Sequence, residues 1–364
     1  MNNEAVLDFF LGAISPSGFT GWFAETVSER GATAYLIKAG PGCGKSTLMR
    51  TLFEHRAAAE GVRAGERIHC SSDPKSLDGV YLPRVGAWVV DATAPHTLDC
   101  KFPGAAERVV SLYDALDNDF LYANREKILD LGRQNAFYLQ HAAAHYALAC
   151  ALLSRRRSMA GQVMDTEKVD RFTMRLAART MPRQRGVKNG EQRHRLLSAP
   201  TPGAVSVWYS TVTKLATKAL YVIQDSYGAV SARMLERLAL YAKANGYDAI
   251  LCHCPTDQSG KLDHLFIPAL GLGFVTSCSW HPMNFSGQRT IHASRFMDLQ
   301  ALKPDQPVLR SQKRLASDLI RKTCTAQSRA LQLHDELEKY YIQATDFTAV
   351  NAIREALEEQ FRKK

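Results

Sequence analysis

No run of about 18 apolar residues occurs in the chain, so nothing in it is expected to span a membrane. Nor does a basic N-terminal stretch lead into a long apolar core, and no secretory leader is therefore expected. The eight cysteines, Cys43, Cys70, Cys100, Cys150, Cys252, Cys254, Cys278 and Cys324, follow no disulfide-scaffold spacing, and a crosslink at Cys43 would obstruct the glycine-rich segment around it. A reducing, cytoplasmic setting is the expectation that follows. Winged-helix, zinc-finger and RNP-like patterns are absent, and the basic residues are not interleaved with aromatics, which disfavours a dedicated nucleic-acid binder.

What is present describes a globular protein. The 364 residues are 46% hydrophobic and 23% charged, enough for two cores of about 180 residues each. The net charge of +10 is concentrated in Arg155-Arg156-Arg157, in Arg183, Arg185, Lys188, Arg193 and Arg195, and in Arg362-Lys363-Lys364. Such clusters can contact nucleic acid or acidic lipid, but solvated linker charge is the favoured reading. Cys252, Cys254, Cys278 and His281 have tolerable zinc-ligand types; small buried cysteines at strand ends explain them more simply.

The densest chemistry lies in Ala39-Gly40-Pro41-Gly42-Cys43-Gly44-Lys45-Ser46-Thr47. It follows an apolar run, Ala34–Ile37, that reads as a buried strand, and precedes Thr47–Glu54, which reads as a helix. Strand, glycine-rich turn and helix is the context a phosphate-binding loop requires. Gly40, Pro41, Gly42, Cys43 and Gly44 would curl the backbone so that its N–H groups form an anion nest, and the helix N-terminus adds its positive dipole end. Lys45 would reach the β- and γ-phosphates, with Ser46 on Mg²⁺ and Thr47 completing the motif. Ala39 replaces the first glycine of the strict pattern. Downstream, Ala87-Trp88-Val89-Val90-Asp91 reads as a strand ending in the metal acid, Asp91. No Glu follows Asp91, which argues against a fast motor.

The chain also contains a second, degraded copy of this unit. Shifted by about 185 residues, the halves register. Phe9–Pro16 lies over Arg195–Pro202, Trp22 over Trp208, and Tyr35-Leu36-Ile37 over Tyr221-Val222-Ile223. His69-Cys70 meets His253-Cys254, Asp73 meets Asp257, and Leu77-Asp78 meets Leu262-Asp263. Pro83, Gly86 and His96 meet Pro268, Gly271 and His281, and Asp165 and Val169 meet Asp346 and Val350. Over Gly44-Lys45-Ser46, however, stand Val230-Ser231-Ala232, and over Asp91 stands Thr276. The loop cation, the hydroxyl and the metal acid are lost together, so the second half is not expected to bind Mg–nucleotide. Residues kept in both halves are expected to be structural or shared. Asp73 is the ambiguous one: just past a strand end it could act as a catalytic base, but Ser-Asp-Pro is also a turn, and the turn is favoured.

The expected architecture is α/β, two tandem P-loop NTPase-like α/β/α lobes, each with a parallel sheet and a C-terminal helical hairpin. In each half an opening helix carries Trp22 or Trp208. The hairpins comprise residues 123–153 with 165–180 and residues 309–343 with 346–363. The expected boundaries are 1–181 for the intact domain, 182–203 for a Gly/Pro-containing linker, and 204–364 for the degenerate domain.

The segments GPGCGKST, HCSSDPKSLDG and VVDATAPH, with the paired-lobe layout, resemble an uncharacterised bacterial family of tandem P-loop ATPases. The resemblance covers essentially the whole chain and implies ATP and Mg²⁺ as ligands, with hydrolysis as the expected activity; no N-K-x-D guanine-reading segment is present. Three readings stay open. One is a slow ATPase or switch using Lys45, Ser46 and Asp91. Another is a small-molecule kinase with Asp73 as base. The last is a nucleotide-stabilised adaptor that contacts nucleic acid or a protein partner through its basic segments. Arg289 and Arg295 are guesses for an arginine finger.

Overall fold

A computed structural model describes residues 5–60, 64–184, 186–257 and 260–363. The first half of the chain contributes β1 (Val6–Phe9), β2 (Gly12–Ser15), β3 (Gly18–Gly21), α1 (Phe23–Thr26), β4 (Thr33–Lys38), α2 (Lys45–Glu60), β5 (Gly65–His69), β6 (Leu77–Leu82), β7 (Ala87–Asp91), β8 (Glu107–Ser111), α3 (Asn118–Ala123), α4 (Arg125–Gln162) and α5 (Thr166–Thr180). The second contributes β9 (Gln192–Arg195), β10 (Ser198–Pro200), β11 (Val205–Val207), α6 (Tyr209–Leu215), β12 (Ala219–Gln224), α7 (Ala229–Ala244), β13 (Ala249–His253), β14 (Leu262–Ile267), β15 (Leu272–Ser277), β16 (Arg289–His292), α8 (Gln306–Ala344) and α9 (Phe347–Arg362).

The two sheets repeat one design. The first runs β1-β5-β6-β7-β4-β8, and the second, taken from its matching edge, runs β9-β13-β14-β15-β12-β16. Neither is purely parallel, as the sequence had led us to expect. β6 is antiparallel to β5 and β7, and β14 to β13 and β15, while the remaining pairs are parallel. The cause is the length of the connections. Pro83–Gly86 and Pro268–Gly271 are tight turns closed by Gly86 N–H to Pro83 O at 3.3 Å and Gly271 N–H to Pro268 O at 3.1 Å. A parallel return needs about a dozen residues or more. Both glycines take positive φ, +61° and +57°, which accounts for the Pro and Gly positions shared by the two halves.

By its contacts the chain divides into two compact units that cut across its linear halves. One unit holds residues through Ala143, Thr201–Ala204, and Cys324 onward; the other holds Ala144–Pro200 and Val205–Thr323. The expected boundaries at 181 and 203 are thus replaced by breaks within α4 and α8. The 38-residue α4 rises about 57 Å. Within the first unit α9 packs on α2, where Leu357 and Phe361 join the core of Tyr35, Ile37, Leu52 and Val89. Within the second, α5 packs on α7, where Val169 and Leu176 join Val230, Leu238 and Phe274. Asp170 clamps Arg233 with two bonds of 2.7 Å. Each lobe is therefore closed by the last helix of the other linear half, not by its own hairpin.

Asp165 and Asp346 cap α5 and α9, accepting from Lys168 N–H and from the N–H groups of Thr348 and Ala349. Trp22 and Trp208 stand at the N-caps of α1 and α6 rather than inside those helices. The segment expected as a linker supplies β9, which pairs in parallel with β13, and β10, which pairs with β11. Arg195 is fully buried there, so it is no solvated linker charge. Arg156 is buried as well, whereas Arg155, Arg183, Lys188, Arg362 and Lys363 are exposed. Arg185 and Lys364 lie outside the described residues. Among the described residues no helix is long and apolar enough to cross a membrane.

Candidate functional site

β4 is buried from Ala34 to Ile37 and delivers the chain into the loop before α2. Gly42 and Gly44 take φ of +66° and +81°, a region that side chains with a Cβ occupy only at a cost. Cys43 is buried in the loop, with Sγ 3.4 Å from Pro41 O, and Thr47 is exposed. Lys45 Nζ donates to Gly40 O at 2.7 Å and stands 3.5 Å from Asp91 Oδ2. β7 lies beside β4, with Ile37 paired to Asp91, which is why the acid reaches the loop lysine. Asp91 Oδ1 accepts from Thr93 N–H and Thr93 Oγ. Ser46 Oγ accepts from Leu77 N–H at 2.9 Å, tying the head of α2 to β6. The structure thus brings Lys45 to Asp91 at the loop and ties Ser46 to the neighbouring strand.

Two groups kept in both halves, Asp78 and His96, neighbour Asp91. Burial pushes the Asp78 carboxyl up to about 6; neighbouring Asp91 adds to this, and His96 and Lys45 oppose it. His96 is buried, 3.9 Å from Asp91 Oδ2, and stacked on Phe23 at 4.5 Å, with neither ring nitrogen hydrogen-bonded.

A residue that sequence reasoning missed sits on the loop itself. Glu338, on α8, accepts from Gly42 N–H through Oε1 at 3.0 Å. His334 Nε2 lies 3.3 Å from the same oxygen. The His334 contact, with Gly42 N–H and Lys45, holds the Glu338 carboxyl below its ordinary range against the opposing effect of burial. Tyr341 lies so close that a Cβ at Gly40 would come within 2.6 Å of its ring, and a Cβ at Gly42 would meet Glu338 O and Ile342 at 3.0 Å. Close approach of α8, as well as backbone angle, therefore demands glycine here. Glu338 is 296 positions from Gly42, and no sequence signal marks it.

The second loop solves the same electrostatic problem internally. Asp225 follows β12 as Ala39 follows β4. Its Oδ1 accepts from the N–H groups of Tyr227 (3.1 Å) and Gly228 (2.9 Å), and its Oδ2 from Ser231 N–H at 2.8 Å. With Asp225 only 1% exposed, a carboxylate of the chain fills the nest at the head of α7. Val230 and Ser231 are fully buried where Gly44 and Lys45 stand in the first loop. Lys261, just before β14, pairs with Asp263 and lies against Gly228. On α4, Arg157 holds the place that Glu338 holds on α8, counted from the caps Asp165 and Asp346; it pairs with Asp257. In the first loop the helical group is a carboxylate on a backbone N–H; in the second unit it is a guanidinium paired with Asp257, in the turn after β13. Asp225 and Lys261 were visible in the sequence as charges opposite Ala39 and at the repeat's one-residue insertion.

Asp73 does not join the site. Its carboxylate accepts from Lys75 N–H and Ser76 Oγ and so closes its own turn. His69 ties the same turn through Pro74 O and bonds Asp8, and His253 does likewise with Gly260 O and His194. These are holding roles, as expected for residues kept in both halves. Arg289 bonds and stacks on Tyr221, and Arg295 lies over Phe172 and Phe296; both are engaged within the second unit. Cys254, Cys278 and His281 line a cavity, while Cys252 is fully buried in β13. Among the described residues no group of three or more His, Cys, Asp or Glu has a metal-holding arrangement.

The chain matches no family model, no curated protein and no solved structure.

Proposed function

We propose that the first unit binds Mg–ATP at Ala39–Thr47 and works as a slow ATPase or nucleotide-dependent switch, and that the second unit binds no nucleotide. The observation that carries this reading is the Gly42 N–H donating to a carboxylate beside Lys45. A backbone donor already committed to an anion, at the head of a helix and next to a cation, is what phosphate recognition uses. Asp225 occupies the equivalent place in the second loop, which supports assigning nucleotide to the first alone.

The residues suit Mg²⁺. Ser46 Oγ stands at the head of α2, and Asp91 directs Oδ2 toward the loop cation. Two oxygen donors suffice for an ion that keeps water and phosphate oxygens as its other ligands. Bound there, the ion would neutralise phosphate charge. The chain's own part is to orient: Lys45 moves from Gly40 O onto phosphate, and the loop N–H groups take the anion that Glu338 now represents. Phosphate and Glu338 compete for one donor, so nucleotide entry is linked to departure of a carboxylate on α8. That linkage supports the switch. The missing Glu after Asp91 supports slow turnover.

Phosphate release and ATP binding in the wild type, Lys45→Ala and Glu338→Gln test the reading. Lys45→Ala should abolish both; unchanged hydrolysis in that variant removes the assignment. Glu338→Gln should tighten ATP binding about tenfold, the effect of losing one charge-assisted competitor bond. Tight binding without turnover would select the non-hydrolysing adaptor instead.

A further inference from the structure

The second unit lost the metal acid, and other chemistry stands in its place. β15 pairs with β12 as β7 pairs with β4, and Thr276 faces Ile223 where Asp91 faces Ile37. Two residues on, Cys278 replaces Thr93. Cys278, Thr276, His281, Cys254, Lys261 and Arg156 line a cavity of about 60 Å³.

The protonation of His281 follows from its neighbours. Its Nδ1 is 3.1 Å from Thr276 O; a carbonyl only accepts, so Nδ1 carries a proton. Its Nε2 stands 3.3 Å from Asp263 Oδ2, within ion-pair distance though not hydrogen-bonded to it. A carboxylate and a sulfur therefore flank Nε2, surroundings that favour the imidazolium. Cys278 Sγ lies 3.4 Å from that Nε2. The His281 charge draws the Cys278 thiol below its ordinary range against the effect of burial. The Cys278 and Asp263 charges raise His281 to about 10, again against burial. Arg156 and Tyr209 also face Cys278 electrostatically, and Asp263 opposes the thiolate. An independent feature points to a ligand: Thr276 Oγ is 1% exposed, lines the cavity, and has no hydrogen-bond partner.

We propose that Cys278 is a nucleophilic thiolate site that reacts with small hydroperoxides, hydrogen peroxide being the smallest. The Cys278 sulfur attacks the terminal peroxide oxygen, forming an S–O bond as the O–O bond breaks. The departing alkoxide or hydroxide takes the proton from His281 Nε2. The products are a sulfenic acid and an alcohol or water; sulfur loses two electrons and the peroxide gains them. Cavity size selects for small reagents, Thr276 Oγ is a free partner for a peroxide oxygen, and the imidazolium supplies the proton the leaving group needs. Cys254 also lines the cavity; within reach of Cys278, its thiol would condense with the sulfenic acid to a disulfide and water.

The test uses the full-length reduced chain. Substoichiometric hydrogen peroxide with dimedone, followed by peptide mass spectrometry, should place most of the modification at Cys278, as the adduct or as a Cys254–Cys278 disulfide. Iodoacetamide alkylation of Cys278 should fall off more shallowly from pH 8 to pH 6 than that of an ordinary thiol, which slows about tenfold per pH unit. His281→Gln should restore the ordinary slope. Modification at Cys278 no faster than at half-buried Cys100, or an ordinary pH slope in the wild type, overturns the proposal. The wild-type profile decides this even where the variant fails to fold.

Discussion

Replacing Asp225 tests the claim that the second loop carries its own anion. Its carboxylate accepts three backbone N–H groups and is 1% exposed, so water cannot take its place without rearrangement. Asp225→Asn keeps an oxygen for Tyr227 and Gly228 but turns an NH₂ toward Ser231 N–H. One buried donor left unpaired costs about 1–3 kcal/mol. Asp225→Ala strands all three donors. At about 1.5–3 kcal/mol for each charge-assisted bond, and with less than full additivity because one carboxylate serves all three, the loss is about 4 kcal/mol. For a domain of this size 1 kcal/mol moves the midpoint by about 2–4 °C, so Asp225→Ala should lower the second unit's transition by about 8–16 °C. A thermal scan gives the shift, and hydrogen exchange on the α7 amides assigns it to this unit, since two units need not unfold together. Millimolar phosphate should return part of the lost stability to the alanine variant by filling the vacated nest. A shift under about 2 °C in Asp225→Ala, well below this range, or no difference between phosphate and chloride, would refute the reasoning.

Other perturbations address separate parts of the argument. Gly42→Ala forces a Cβ onto φ +66° and to 3.0 Å from Glu338 O; it should cost about 1–3 kcal/mol and abolish ATP binding, and full binding by calorimetry would contradict the loop assignment. Asp346→Ala removes the α9 cap and should lower the first unit's stability by about 1 kcal/mol, measured by urea denaturation. His264 is fully buried, and burial pushes it from 6.5 down to about 3, with His281 adding to the effect. The unfolded chain therefore binds the proton more tightly, so stability is intact above pH 6.5 and lost as pH falls toward 3. His264→Leu should flatten that acid limb in urea midpoints taken from pH 7 to pH 4, and an unchanged slope would show that this histidine does not govern it.

The legible parts of this protein are those whose physics is local. The nine residues Ala39–Thr47 carry their turn angles, their cation and their helix start within one short segment, so the strand, turn and helix there could be read directly. The β6 direction was equally local: Pro83–Gly86 is too short for a crossover, a signal outweighed by expectation of a parallel sheet. Asp73 and the paired histidines could be weighed as turn residues because both copies kept them where only one copy kept the loop. Arg195 misled, because a charge in a Gly- and Pro-containing segment reads as exposed until β9 is placed beside β13.

Residues close along the chain were sufficient to set the paired α/β lobes and the strand–turn–helix at each loop, because turn angles, apolar runs and caps act over a few positions. Folding alone decided which charge each loop faces. Glu338 meets Gly42, Arg157 meets Asp257, and Cys278 meets His281 beside Asp263. The physical reason is that packing within each unit brings side chains together across large sequence separations, where distance in space rather than spacing along the chain determines what interacts.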